Sequence, residues 1–180
     1  MHPHDNMEIV SIVLRGKLRH RDNLGNGDVL KPGDVQKMTA GSGIIHSEFN
    51  PSDKEPVHFL QIWIIPNMLD LRPSYEQKAF NRKSMTNQLT LLVSPDGHNG
   101  SLEIHQDAEI WQILLEENKD TEFAINHSRK IWIQVAEGSV STNEHLLVAG
   151  DGLAVSDEEG IIRLRGIDKL SNIIIFNLRA

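Results

Sequence analysis

Two short patterns carry side chains able to do metal chemistry. The first is His2-x-His4, at the start of a strand-like segment. The second is His46-x-Glu48, inside Gly43-Ile44-Ile45-His46-Ser47-Glu48-Phe49-Asn50. In an extended strand residues i and i+2 project from one face, so each pair points two donors the same way. Neighbouring strands bearing these pairs would offer three imidazole nitrogens and one carboxylate oxygen to a single ion. The chain has no cysteine, which excludes thiolate ligands, disulfides and thiol nucleophiles. Imidazole with carboxylate suits Fe(II), Ni(II), Cu(II), Mn(II) or Zn(II), and ligand type does not choose among them. His20, His58, His98, His127 and His145 are scattered without matching partners and read as ordinary surface or core histidines. His105 sits in Glu103-Ile104-His105, where nothing nearby completes a ligand set.

The elements that must position these pairs read as short strands punctuated by Gly, Pro, Asn and Asp. Met7–Leu14 is β-branched and ends at a turn, Arg15-Gly16. Residues 17–21 follow, then Asn23-Leu24-Gly25-Asn26-Gly27 as a hairpin loop. Lys31-Pro32-Gly33-Asp34 is a further turn ahead of Val35–Met38. Val57–Pro66 is a continuous apolar run, which predicts a strand buried on both faces. Residues 67–88 lack periodicity and read as a connector, with short helix candidates at Met68–Leu71 and Tyr75–Phe80. A second strand-rich stretch begins at Leu89 and runs to Leu178. It includes residues 110–115, 130–135, 146–148, 152–155, 161–164 and 172–178. Regular short strands with turn signals point to a sandwich or barrel. The halves resemble each other: residues 13–18 match 135–140, and Lys31-Pro32-Gly33-Asp34-Val35 matches Val148-Ala149-Gly150-Asp151-Gly152. This suggests a duplicated β-barrel, one copy per half.

At 180 residues the chain is long enough to bury roughly two thirds of its unfolded surface. Its 39% hydrophobic and 24% charged residues are ordinary for a globular protein. A net charge of −7 without any Lys/Arg-rich run argues against direct nucleic-acid binding. No apolar run approaches the roughly 18 residues of a membrane-spanning helix, and the N-terminus carries no signal-peptide pattern. A cytoplasmic protein is the expectation, with no membrane partner.

The spacing resembles the cupin signature. Glu8 follows His4 after three residues and Gly16 follows after seven more, one beyond the usual pattern. Gly41-x-Gly43-x-x-His46-x-x-x-Asn50, with Gly33 upstream, resembles the second cupin motif, except that Gly41 stands where proline is usual. The likeness is closer to the pirin family. HPHDNMEIVSIVLRGKLRHRDNLGN resembles its first metal motif and hairpin. KPGDVQKMTAGSGIIHSEFNPS keeps the T-A-G-x-G-x-x-H-S-E core, including the glycine at 41. LQIWIIP and Tyr75-Glu76-Gln77 resemble its later strand and linker.

That resemblance implies an all-β fold of two tandem cupin barrels (double-stranded β-helix or jelly-roll), the first incomplete at its N-terminus. Residues 1–80 would be the metal-bearing cupin with its linker, and 81–180 a cupin without a metal site. It implies His2, His4, His46 and Glu48 as ligands of one divalent metal ion, Fe(II) first, with Glu8 structural. It implies quercetin 2,3-dioxygenase activity, the opening of a flavonol ring with O2 and release of carbon monoxide. Glu48 would double as general base, with Met38, Ile44, Ile45 and Phe49 as pocket walls for an aromatic substrate. Some pirin-like proteins are instead metal-dependent binding modules for partner proteins, and a chain unable to hold metal would be inactive. Family members usually carry roughly 50 to 60 residues ahead of HPH, so an unpaired barrel edge and a homodimer are expected here. A site so near a chain end is also expected to be loosely held.

Overall fold

A computed structural model describes residues 1–142 and 145–180. The chain divides into two compact units. The first is Met1–Phe80 with Leu102–Gln106, and the second is Asn81–Ser101 with Asp107–Ala180. Short Leu102–Gln106 thus belongs with the earlier residues. It is tied there by the Asn67 N–H donating to His105 O at 2.7 Å and by Gln106 Nε2 donating to Ile65 O at 2.8 Å.

The first unit contains β1 (His2–His4), β2 (Glu8–Arg15), β3 (Leu18–Asp22), β4 (Val29–Leu30), β5 (Asp34–Thr39), β6 (Ile44–Phe49), β7 (His58–Ile64) and β8 (Ser74–Ala79). They form two four-stranded sheets, ordered β1-β6-β3-β4 and β7-β2-β5-β8, with antiparallel pairing throughout. Ile9, Met38, Ala40 and Ile44 form one apolar cluster between strands, and Val13, Leu18 and Leu30 another. Each buried Ile, Met, Val or Leu side chain of these clusters contributes about 1.5–3 kcal/mol.

Three expectations are corrected. The Tyr75–Phe80 helix is strand β8, and Met68–Leu71 is irregular. The connector therefore contributes a sheet edge rather than only linking halves. The apolar run at Val57–Pro66 is not buried on both faces, because β7 lies at the edge of its sheet and leaves Trp63 56% exposed.

The second unit holds β9 (Thr90–Ser94), β11 (Ala108–Glu116), β12 (Asp120–Ile125), β13 (Arg129–Glu137), β14 (Ser139–Thr142), β15 (His145–Val148), β16 (Gly152–Val155), β17 (Gly160–Gly166) and β18 (Leu170–Arg179). The intervening β10 (Leu102–Glu103) falls in the first unit. Here β9, β11, β18, β13 and β16 lie side by side, and β12-β17-β14-β15 form the facing sheet. Ile113, Ile133, Ile173 and Ile175 of the former pack against Phe123, Val140, Ile162 and Leu164 of the latter. Among the described residues no helix is long and apolar enough to cross a membrane.

The internal likeness extends to backbone detail. β2 carries a register shift between Val13 and Arg15, just before Gly16 at φ 72°. β13 carries one between Val135 and Glu137, just before Gly138 at φ 76°. In the later turns, the Lys31 N–H donates to Asp34 Oδ2 at 3.0 Å and the Val148 N–H to Asp151 Oδ2 at 2.9 Å. Gly33 and Gly150, at the same place in these turns, both have φ 99°.

Candidate metal centre

β6 lies between β1 and β3, and the register sets one row of chemistry across the three strands. His46 is opposite His2 on one side and Asp22 on the other, while Glu48 is opposite His20. Alternation on β6 turns Ile44, His46 and Glu48 to the interior, and Ile45, Ser47 and Phe49 to the other face. The rings of His2, His4 and His46 converge, with centroids 4.8, 4.4 and 4.9 Å apart. One ligand atom from each lies within 4.8 Å of the others, as do those of His20, His46 and Glu48.

The facing sheet brings two rows over this cluster. Gln61, Ser11 and Gln36 are register neighbours across β7, β2 and β5, and all three donate to Glu48. Ser11 Oγ and Gln36 Nε2 reach Oε1 at 3.1 and 3.0 Å, and Gln61 Nε2 reaches Oε2. The next row is Trp63, Ile9, Met38 and Tyr75. Trp63 stands edge-on to His4 at 5.1 Å and donates its indole N–H to Gln61 Oε1 at 3.1 Å. Tyr75 stacks on His20 at 4.7 Å and donates to Gln77 Oε1 at 2.9 Å.

The donor set fits a metal ion on an observation of its own. His4 Nε2, both ring nitrogens of His46 and His20 Nδ1 are buried without a hydrogen-bond partner. Buried polar atoms are ordinarily satisfied, and leaving one unsatisfied costs about 1–3 kcal/mol. Several converging orphaned imidazoles are what a bound cation resolves. Electrostatics supply the correct protonation state. Burial first, then the neighbouring His2, His4 and His20, lower the His46 pKa to about 4. Burial and then His2 also lower His4. Both rings are neutral near pH 7, as metal ligation requires.

The expected residues are distributed unevenly. His2, His4 and His46 come together, while Glu48 groups with His46 and His20 rather than with His2 and His4. Met38 is fully buried in the apolar cluster with Ile9, Ala40 and Ile44. Ile45 and Phe49 point away from His46 and Glu48, so neither forms a wall of this cluster; Phe49 instead lies under the Arg21 guanidinium at 5.7 Å. Glu8 is on the opposite face of β2 from Ser11. It is buried between Thr39 Oγ1 at 2.9 Å and His105 Nδ1 at 3.1 Å.

Sequence reasoning passed over His20, Asp22, Gln61, Trp63 and Tyr75. The signal is in the spacing: His20-x-Asp22 and Gln61-x-Trp63 have the same i, i+2 separation as His2-x-His4 and His46-x-Glu48.

Comparison with known proteins gives a consistent result. The Pirin family matches residues 1–64, and the family described as quercetinase C-terminal cupin domain matches 91–178. Quercetin 2,3-dioxygenase of Escherichia coli K12 is 40% identical over 177 residues, covering 98% of this chain and 74% of that protein. The crystal structure of the bacterial pirin YhhW of E. coli in complex with nickel(II) superposes with a TM-score of 0.90 at 39% identity. That match covers 99% of this chain and 75% of the other. A quercetin 2,3-dioxygenase from Acinetobacter baumannii shares the fold, with a TM-score of 0.75 at 21% identity over 99% of this chain and 66% of that one.

Proposed function

The chain belongs to the pirin family, and from that premise we propose that it is a metal-dependent dioxygenase that opens a flavonol ring with O2 and releases carbon monoxide. The observation that carries this reading is the convergence of His2 with the orphaned imidazole nitrogens of His4 and His46, beside a carboxylate. The E. coli relative named quercetin 2,3-dioxygenase supports the substrate class.

In this reading His2, His4, His46 and Glu48 hold one divalent ion. Fe(II) is the first ion to test; the E. coli structure with nickel keeps Ni(II) beside it. Such an ion supplies Lewis acidity that lowers the pKa of a hydroxyl bound to it, favouring the flavonolate. The remaining roles fall to the chain. Glu48 accepts the substrate hydroxyl proton, and Ser11, Gln36 and Gln61 hold its carboxylate in place. Trp63, exposed at the rim and beside His4, offers a flat apolar face to an aromatic ring. Ile9 and Met38, wholly buried behind that rim, keep water from the floor of the site.

Oxygen uptake with quercetin tests the reading. The metal-loaded protein consumes oxygen when quercetin is added, and a His46→Ala variant does not. Protein that retains metal yet consumes no oxygen with any flavonol overturns it.

A further inference from the structure

The three-histidine site uses only one nitrogen of His46. Both of its ring nitrogens are buried without a partner. An ion held with His2 and His4 engages one of them and leaves the other orphaned. On the β3 side of His46, away from β1, stands His20, whose ring centroid is 5.4 Å from that of His46.

His20 is prepared as a donor. It is fully buried, and its Nε2 lies 3.1 Å from Asp22 Oδ2, a carboxylate that is itself fully buried in its side chain. Asp22 is fixed by Asn26 Nδ2 at 2.8 Å and by the backbone N–H groups of Leu24 and Asn26 at 2.9 and 3.0 Å. A carboxylate only accepts, so the His20 proton sits on Nε2 and Nδ1 keeps its lone pair. Nδ1 is buried with no partner. A carboxylate fixing the far nitrogen of an imidazole is the arrangement usual for metal-bound histidines. None of His2, His4 and His46 has such a carboxylate hydrogen bond among the described contacts. The ligand atoms of His20, His46 and Glu48 lie within 4.8 Å of one another.

We propose that His20, oriented by Asp22, is a further imidazole donor of this centre, so that His20, His46 and Glu48 form an inner triad that holds a divalent ion when the His2–His4 arm is displaced. The inference rests on the reading of this site as a metal centre. The two triads share His46, and a neutral imidazole has only one lone-pair nitrogen to give, so the chain takes one ion at a time. The inner position, set by the antiparallel pairing of β3 with β6, does not depend on the first strand.

Cu(II) binding followed by titration and electron paramagnetic resonance tests this. Wild-type protein binds one Cu(II). A His2→Ala/His4→Ala variant still binds one, with a spectrum carrying coupling from two nitrogens. Adding His20→Ala to that variant weakens Cu(II) binding at least tenfold. An Asp22→Asn change in the same background weakens it in the same direction, because an amide releases the tautomer. Thermal melts of each variant show that the unit remains folded; His20→Gln replaces His20→Ala if the latter does not. Loss of all Cu(II) from the His2→Ala/His4→Ala variant, or no effect of changing His20 there, overturns the inner triad alone. Wild-type protein that binds no Cu(II) overturns the metal centre and the triad together.

Discussion

Trp63 stands edge-on to His4, their ring centroids 5.1 Å apart, although Trp63 is more than half exposed. An indole this close to a ligand reports on the ion. Titration with Ni(II) or Cu(II) quenches tryptophan fluorescence, and Trp63→Phe removes the metal-dependent part while Trp111 and Trp132 still emit. Quenching of equal size in Trp63→Phe would contradict the placement.

The cradle around Glu48 makes a second prediction. Ser11 and Gln36 donate to the same carboxylate oxygen. Groups that orient a ligand typically contribute 10–100-fold to metal affinity. Ser11→Ala and Gln36→Leu each weaken Ni(II) binding by about that range, measured by competition with a chromophoric chelator, without changing the stoichiometry. Unchanged affinity in both would show that the hydrogen bonds do not position Glu48.

His46 sets a pH dependence for metal-free protein. Its folded pKa is near 4, below the ordinary 6.5, chiefly because it is buried. The unfolded chain therefore binds this proton more readily. The stability that neutral His46 contributes is complete above about pH 6.5 and is lost as pH falls toward 4, by at most about 3 kcal/mol. Urea denaturation with chelator present shows a falling midpoint between pH 7 and 5, and His46→Gln flattens that part of the slope. A midpoint independent of pH over this window would refute the assignment.

Gly41 explains why this chain departs from the general cupin motif. Its φ is 49°, and a Cβ there would lie 1.9 Å from Leu71 O, the atom that accepts the Ser42 N–H at 2.8 Å. Gly41→Ala combines left-handed strain with a backbone clash and costs about 2–5 kcal/mol by urea denaturation. Gly25→Ala, at φ 97° with nothing within 4 Å, costs only the conformational part, about 1–2 kcal/mol. Equal costs for the two would remove the steric account.

The sequence made some of this legible and hid the rest for physical reasons. His46 and Glu48 could be read because one strand places both on one face and a local motif surrounds them. The pairing of His2 with His46 depends on a register between strands far apart in sequence, which local patterns do not state. His20 looked ordinary because its partners, Asp22 aside, arrive from β6 and β8. Ile45 and Phe49 were expected to line the site on their apolar character, but the strand's two-residue period turns them away once His46 points in. The apolar run through Trp63 read as a buried strand because composition does not reveal a sheet edge.

Whether one ion held by these histidines and Glu48 drives flavonol oxygenation is decided by titrating chelator-treated protein with Fe(II) under quercetin and O2. Oxygen uptake is predicted to rise from zero and level off at one Fe(II) per chain, with no response from His46→Ala. Uptake that is present before any metal is added, or that survives in His46→Ala, would rule out oxygenation at this metal centre.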